Sequence, residues 1–128
     1  MERVQTEKAP KPIGPYSQGV IANENLLFTA GQIGIDLETG KLVNGIKEQT
    51  ELCLKYVKAI VEAAGSSVDR ILKTTVYLSD MNNFSQMNEV YERFFNKHSI
   101  GKYSARSTVG VSRLPKNTLV EIEAIAEV

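Results

Sequence analysis

The sequence predicts an α+β fold with two layers, in which two helices pack on one face of a five- or six-stranded sheet. Two stretches, residues 46–64 and a stretch beginning near residue 83, carry apolar residues at helical spacing. Short apolar runs rich in β-branched residues surround them. In chain order the elements are ββαβαββ, with a short extra strand at the N-terminus as an option. A chain of 128 residues is long enough for one domain spanning residues 1–128.

The first third of the chain predicts a loop followed by a hairpin. Residues 8–19, KAPKPIGPYSQG, hold three of the four prolines and therefore favour an ordered loop. The apolar runs GVIA and LLFTAGQI follow, joined by residues 23–25, where two asparagines favour a tight turn. Residues 38–41 predict a further turn before the first helix.

Both helices are predicted from their apolar stripes. The first runs from about Ile46 to Ala64, and Gly65 is a natural stop. The second begins near Asn82 or Asn83, either of which can cap it, and ends around residues 98–101. Its core-facing side chains are Phe84, Met87, Tyr91, Phe94 and Phe95. Residues 71–80, ILKTTVYLSD, predict a strand between the two helices.

The last two strands are predicted at ARSTVGV and LVEIEAIA, with a turn over residues 113–117. One face of the final strand is apolar throughout. The other face is neither core-like nor solvent-like, because it mixes apolar and acidic residues: Leu119, Glu121, Glu123 and Ile125. We expect another subunit to cover this face, and we predict a homo-oligomer with clefts between subunits.

Arg106 and Glu121 are the candidates for chemistry. They lie on consecutive strand-like runs, so antiparallel pairing would bring them close together. A guanidinium can bind a carboxylate through two parallel hydrogen bonds, and a half-buried glutamate can hold or deprotonate a water. Thr108 shares the strand face of Arg106 and can orient a water. The alternatives are an ion pair between Arg106 and Glu121 or Glu123, a plain interface charge at position 121, and an ordinary strand threonine.

Composition argues against several other functions. Fifteen basic and fifteen acidic residues leave no net charge to attract nucleic acid. The single histidine, His98, excludes a multi-histidine metal site and suits a helix C-terminus. Cys53 lies on the apolar stripe of the first helix and is interpreted as a core residue. The polar N-terminus and the absence of a long apolar run predict a soluble, cytoplasmic protein without a membrane span.

Five motifs together resemble the Rid proteins, also called the YjgF family, and in particular the RidA-like enamine/imine deaminases. The resemblance covers nearly the whole chain. The motifs are IGPYSQ (13–18), FTAGQIG (28–34), VKAIVEAAG (57–65), KTTVYLSDMNNF (73–84) and ARSTVGVSRLPKNTLVEIEAIA (105–126).

The resemblance implies a chorismate-mutase-like fold with a mixed sheet, assembled as a homotrimer around a central barrel with sites at the subunit junctions. It also implies hydrolysis of 2-imino acids, such as 2-iminobutanoate and 2-iminopropanoate, to 2-oxo acids and ammonia without a metal or cofactor. Arg106 would bind the substrate carboxylate and Glu121 would position the water. The remaining pocket residues would be Tyr16, Gly31, Gln32, Ile33, Asn88 and Thr108.

The chain departs from many Rid proteins at three positions: Thr108 replaces cysteine, Ala30 replaces serine and Ser104 replaces proline. Thr108 keeps a hydroxyl but removes thiol reactivity, Ala30 removes a polar contact, and Ser104 loosens the backbone ahead of Arg106. Two other functions remain alternatives: a single-strand endoribonuclease or translation inhibitor, and a non-enzymatic binder of small carboxylates.

Overall fold

The computed structural model describes residues 1–100 and 102–128 and contains a six-stranded sheet with two helices on one face. The predicted architecture is confirmed, including the extra N-terminal strand. The elements are β1 (Glu2–Val4), β2 (Gly19–Ala22), β3 (Leu26–Thr29), α1 (Ile46–Ala63), β4 (Ile71–Leu78), α2 (Phe84–Ser99), β5 (Ala105–Gly110) and β6 (Val120–Glu127).

The strand order is β1-β2-β3-β6-β4-β5, so the predicted antiparallel pairing of the last two strands is wrong. β5 pairs in parallel with β4 and forms the edge of the sheet, while β6 lies antiparallel between β3 and β4. The cause is the helix between β4 and β5, because a strand that returns through a helical crossover comes back parallel to the first strand. Residues 111–119 then carry the chain to the other side of β4.

Side chains alternate between the two faces of the sheet as the sequence predicts. The face under the helices is fully apolar in β6, whose buried residues are Val120, Ile122, Ala124 and Ala126. Neither described helix lies over the opposite face. It carries the half-buried Glu121, Glu123 and Ile125 beside Phe28, which is 42% exposed. The coverage of this mixed face by another subunit stays a prediction.

The two helices end differently. Gly65 follows α1 with a φ of 85°, a left-handed conformation that confirms the predicted stop. α2 ends at Ser99 and is followed by Ile100 in the left-handed region. Gly101, the last residue of the predicted end of α2, lies outside the described residues.

The start of α2 is predicted correctly, but its cap is not. A 3₁₀ turn at Met81–Asn83 precedes the helix, and the carboxylate of Asp80 accepts a hydrogen bond of 2.9 Å from the Asn82 N–H. Asn83 occupies the N-cap position without a side-chain cap bond. A side chain therefore caps the 3₁₀ turn that precedes α2, and the predicted asparagine cap of α2 itself does not form.

The β2–β3 turn places two residues in the left-handed region. Asn23 has a φ of 52° and Glu24 a φ of 62°, and the Asn25 N–H donates to the Ala22 carbonyl at 3.2 Å. This is a type I′ turn, whose second central position favours glycine. Glu24, not an asparagine, occupies that position.

We expect Glu24→Gly to stabilise the protein. A non-glycine residue in the left-handed region costs about 1–2 kcal/mol, which the greater freedom of glycine in the unfolded chain partly offsets. The expected net gain is on the order of 0.5 kcal/mol, or about 2 °C in Tm by calorimetry. Glu24→Ala removes the same charge but keeps a Cβ atom, so it should give no gain. Equal gains from both variants would show that charge, and not backbone conformation, matters at this turn.

Candidate active site

A cavity of about 820 Å³ lies beside the first residues of β6. Its walls are part of the N-terminal segment up to Gln18, the loop over residues 30–40 that follows β3, and the turn at Pro115 and Lys116. Its volume is typical of a small-molecule site. Five predicted site residues line it, namely Tyr16, Gly31, Gln32, Ile33 and Glu121.

The carboxylate of Glu121 lies directly against Gly31. A Cβ atom at position 31 would be 2.0 Å from Oε2 of Glu121, so a larger residue there would have to displace the carboxylate. Two backbone bonds fix this approach: the Gln32 N–H donates to the Ile122 carbonyl at 2.8 Å, and the Ile122 N–H donates to the Gln32 carbonyl at 3.0 Å. The loop after β3 is therefore held against β6 at the position of the carboxylate.

The surroundings of Glu121 favour its protonated form. Burial raises the pKa of Glu121 above its usual value, and the negative charge of Glu123 raises it further. Glu123 projects from the same face of β6, two residues away. A carboxylate with a raised pKa is a stronger base than a free one, which suits a group that takes a proton from water.

Tyr16 forms part of the N-terminal wall of the cavity. Its side chain is 51% exposed, and its hydroxyl accepts a long hydrogen bond of 3.4 Å from the Ile13 N–H. The Tyr16 N–H donates to the Gly14 carbonyl at 2.9 Å. The phenol thus lies at the edge of the cavity on a turned segment and is available to a ligand.

A single buried amide, Gln18, holds this N-terminal wall in place. Its Nε2 donates to the carbonyls of Thr6, Ala9 and Pro10 at 3.0, 3.2 and 2.9 Å. Its Oε1 accepts from the Thr6 N–H at 2.7 Å. The predicted ordered loop is confirmed, and this side chain explains how a segment without regular structure is ordered.

Arg106 lies elsewhere, on the edge strand β5 and on the face covered by α2. Its Cζ is 4.6 Å from the centroid of the Tyr91 ring and 5.7 Å from that of Phe84. Asn88 lies between these two aromatic residues at helical spacing and therefore shares their side of α2. Thr108 shares the strand face of Arg106, and its buried hydroxyl oxygen has no hydrogen-bond partner among the described residues.

Within one chain, Arg106 and Glu121 are not neighbours. Arg106 is paired with Thr74 of β4, whose hydroxyl bonds the Tyr91 hydroxyl under α2. Glu121 is paired with Tyr77 and projects from the opposite face. β4 separates the two strands, so the alternative of an ion pair between Arg106 and Glu121 or Glu123 is also wrong: the guanidinium lies over aromatic rings instead. The predicted site residues form two separate groups.

The chain resembles known proteins over almost its whole length. The family described as endoribonuclease L-PSP matches residues 6–128. A RutC family protein of Pyrococcus horikoshii is 56% identical over 126 residues, which is 98% of this chain and 96% of that protein. The chain belongs to the Rid (YjgF/RutC) family.

Other Rid relatives have more specific names. The 2-iminobutanoate/2-iminopropanoate deaminase of Salmonella typhimurium is 48% identical over 123 residues, covering 96% of this chain and 94% of that protein. The crystal structure of Escherichia coli TdcF with bound serine superposes with a TM-score of 0.95 at 46% identity, covering 100% of this chain and 99% of that chain. The chorismate-mutase-like α+β fold is thereby confirmed.

The three residues that we expect to differ from many Rid sequences lie in both groups of predicted site residues. Ala30 lines the cavity next to Gly31. Ser104 and Thr108 precede and follow Arg106, and each has a buried hydroxyl oxygen without a hydrogen-bond partner among the described residues. Buried hydroxyls normally have hydrogen-bond partners, so these two oxygens are exceptions among the described residues.

The other two reactive side chains considered above, Cys53 and His98, pack within the fold and do not line the cavity. Cys53 is fully buried, its Sγ contacts the Val120 carbonyl at 3.7 Å, and burial raises the pKa of its thiol. His98 lies in the last turn of α2 against Phe94, and partial burial lowers its pKa. The described residues contain no group of three or more histidine, cysteine or acidic side chains placed to hold a metal. Neither described helix is long and apolar enough to cross a membrane.

Two buried glutamines that shape the site were missed by the sequence analysis. Gln18 is 2% exposed and Gln49 is 5% exposed. Patterns of apolar residues do not select glutamine. One signal for Gln49 was present, because it precedes Cys53 by four residues and therefore lies on the same stripe of α1.

We expect Gly31→Ala to move the Glu121 carboxylate away from the loop. Because the added methyl group would overlap Oε2, the carboxylate should turn toward solvent and its pKa should fall toward the usual value. The overlap should also lower the free energy of unfolding by about 1–3 kcal/mol. A carbon-13 NMR titration of the Glu121 carboxyl measures the pKa. Gly14→Ala is the control, because a Cβ there meets only Tyr16 at an ordinary 3.7 Å; an unchanged Glu121 pKa in Gly31→Ala would contradict the contact.

We expect Glu121→Gln to raise stability at neutral pH. A carboxyl whose pKa is higher in the folded protein than in the unfolded chain favours folding when protonated, and this contribution is lost as the pH rises through the folded pKa. The neutral amide avoids that loss. Thermal unfolding at pH 7 should therefore show a higher Tm for Glu121→Gln than for the unaltered protein, and the difference should shrink toward pH 4. A difference that grows on acidification would be inconsistent with a raised pKa.

Proposed function

We propose that this protein hydrolyses small 2-imino acids and their enamine tautomers to 2-oxo acids and ammonia, at sites shared between the subunits of a homotrimer. The observation that carries the proposal is the Glu121 carboxylate. It is held against Gly31 in a cavity, and its pKa is raised. The substrate class is also supported by a relative named 2-iminobutanoate/2-iminopropanoate deaminase. A second relative, TdcF, has a crystal structure with bound serine, a small amino acid that carries a carboxylate next to the carbon bearing nitrogen, as a 2-imino acid does.

The separation of Arg106 from Glu121 supports a site shared between subunits. Arg106 lies on an edge strand and makes no salt bridge with a described residue. Val109, on the same strand, is 42% exposed. If the β5 edge of one subunit docks at the cavity of the next, the two groups of predicted site residues meet. The first subunit then supplies Arg106, Asn88 and Thr108, and the second supplies Tyr16, Gly31 and Glu121. The mixed open face of the sheet is a surface that such an assembly can cover.

The chemistry needs few groups because a protonated imine is already electrophilic at carbon. Arg106 binds the substrate carboxylate with two parallel hydrogen bonds and fixes the orientation of the C=N carbon. Glu121 accepts a proton from a water as the water oxygen bonds to that carbon. The resulting carbinolamine carries an OH and an NH₂ group.

Collapse of the carbinolamine completes the reaction. Glu121 returns the proton to nitrogen and then accepts the hydroxyl proton, while the C–N bond breaks as the C=O bond forms. Glu121 releases this proton before the next turnover, and it balances the proton that the imine carried at the start. Ammonia leaves with the electron pair of the broken bond. The sum is one imine and one water giving one 2-oxo acid and one ammonia, with no change in oxidation state.

We expect rapid 2-oxo acid release when a pyridoxal-phosphate-dependent dehydratase generates the imine from threonine or serine in the presence of this protein. Arg106→Ala should lower kcat/KM at least about 100-fold. Arg106→Lys should recover little of that activity, because an ammonium group cannot form the two parallel hydrogen bonds of a guanidinium. Glu121→Gln should lower kcat more than it weakens 2-oxo acid binding. Arg93→Ala, at an exposed arginine on α2, is the matched control and should remain active. A release rate unchanged by the unaltered protein would refute the proposal.

Mixing two inactive variants tests the shared site. When Arg106→Ala and Glu121→Gln subunits are unfolded together and reassembled in equal amounts, about a quarter of the sites should regain both groups. Activity should return to that fraction. Mixtures that stay inactive, with a trimer confirmed by light scattering, would place both groups of a site in one subunit.

Two further measurements address the alternatives. Cleavage of single-stranded RNA that survives Arg106→Ala would favour the endoribonuclease. Binding of 2-oxobutanoate by calorimetry without imine hydrolysis would favour a carboxylate binder.

A further inference from the structure

We propose that Gln49, a buried residue of α1, is a positioning residue for Glu121. It holds the segment that carries the Glu121 carboxylate against the segment that this carboxylate contacts. These segments are the loop that follows β3 (residues 30–43) and residues 118–121, which include the first two residues of β6. The role deepens the proposed function and rests on it where catalysis is concerned.

The side chain of Gln49 bonds both segments at once. Its Oε1 accepts from the Leu119 N–H at 2.8 Å and from the Thr118 hydroxyl at 3.0 Å. Its Nε2 donates to the Val43 carbonyl at 2.9 Å. An amide can make four such bonds, and three are made here by a side chain that is 5% exposed. Few side chains are better placed to couple two backbone segments.

Backbone packing tightens the same junction. A Cβ atom at Gly34 would be 2.7 Å from Cα of Gln49, so the loop lies directly on α1 at this residue. The Val43 N–H donates to the Gly34 carbonyl at 3.0 Å, which joins the two ends of the loop. Gly34 is three residues from Gly31 and Leu119 is two residues from Glu121. Gln49 therefore acts on both sides of the contact between Glu121 and Gly31.

Two other residues of the same α1 stripe bond only one segment each. Cys53 contacts the Val120 carbonyl of β6 at 3.7 Å, and the Tyr56 hydroxyl donates to the Ile35 carbonyl of the loop at 2.5 Å. Of the three side chains, Gln49 alone spans the junction. Removing its bonds should let the loop and β6 move apart while α1 stays packed.

Gln49→Met tests this role, because methionine has a similar length but makes none of these bonds. We expect kcat for imine hydrolysis to fall about 10- to 100-fold, since a small misplacement of a catalytic group has effects of that size. KM should change by less than about threefold, since Arg106 is untouched. The acid limb of the kcat/KM profile should move to lower pH, because a looser junction admits water to Glu121.

A change in the pH profile can be assigned to Glu121 because no other charged group that faces it is altered in Gln49→Met. Burial raises the pKa of Tyr77 on β4 and of Cys53 on α1, so both stay neutral in acid. Glu123 lies on the same strand, and its charge already contributes to the raised pKa of Glu121. The other charged residues lining the cavity are Glu7, Lys11, Asp36 and Lys116. None of these is altered in Gln49→Met.

Thr50→Val is the matched control. Thr50 is the next residue of α1 and is fully buried, but its hydroxyl donates to the Ile46 carbonyl of its own helix at 2.7 Å. We expect it to lose stability without a change in kcat or in the acid limb. If Gln49→Met and Thr50→Val have the same kcat and the same acid limb, Gln49 is structural only and the proposal is overturned.

Two further measurements keep the test decisive. Gln49→Glu retains the oxygen acceptor for Leu119 and Thr118, so its kcat should lie between the kcat of the unaltered protein and that of Gln49→Met. A kcat equal to that of the unaltered protein would overturn the positioning role of Gln49, even if Gln49→Met does not fold. Carbon-13 NMR of the Glu121 carboxyl should show a lower pKa in Gln49→Met whether or not imines are hydrolysed. That readout separates failure of the Gln49 role from failure of the proposed function.

Discussion

The backbone pairing between Gln32 and Ile122 is the constraint on which the cavity depends. It joins a loop to the centre of the sheet by two hydrogen bonds, at 2.8 and 3.0 Å, where no regular strand continues. The pairing brings the loop close to β6, and the Glu121 carboxylate occupies the space that a Cβ atom at position 31 would need. A glutamate that would otherwise extend into solvent is thereby confined and half-buried.

The topology of the sheet determines which residues can meet. The helical crossover from β4 to β5 places Arg106 at the edge under α2, and the insertion of β6 beside β3 places Glu121 on the opposite face. Two groups that are close in sequence are therefore kept apart within one chain. The arrangement explains how a small fold can carry Arg106 on one face of its sheet and Glu121 on the other without an ion pair between the two side chains.

The order and type of the elements could be predicted from the sequence because each has a strong local signal: the stripe of α1, the β-branched run of β4 and Gly65 after the first helix. The pairing of β5 could not be predicted, since it depends on where the crossover returns the chain. The resemblance to Rid proteins predicted which residues form the site but not the faces of the sheet on which they lie. Gln18 and Gln49 were missed because their role lies in buried hydrogen bonds, which leave no periodic pattern.

The stacking of Arg106 on aromatic rings has a consequence for affinity. A free arginine side chain samples many rotamers and loses that entropy when a ligand immobilises it. Here the rings of Tyr91 and Phe84 already restrain the guanidinium, at 4.6 and 5.7 Å, and they leave its edge free to donate hydrogen bonds. Much of the ordering therefore takes place during folding. The affinity of Arg106 for the substrate carboxylate that we propose it binds should accordingly depend on two aromatic neighbours that need not touch that carboxylate.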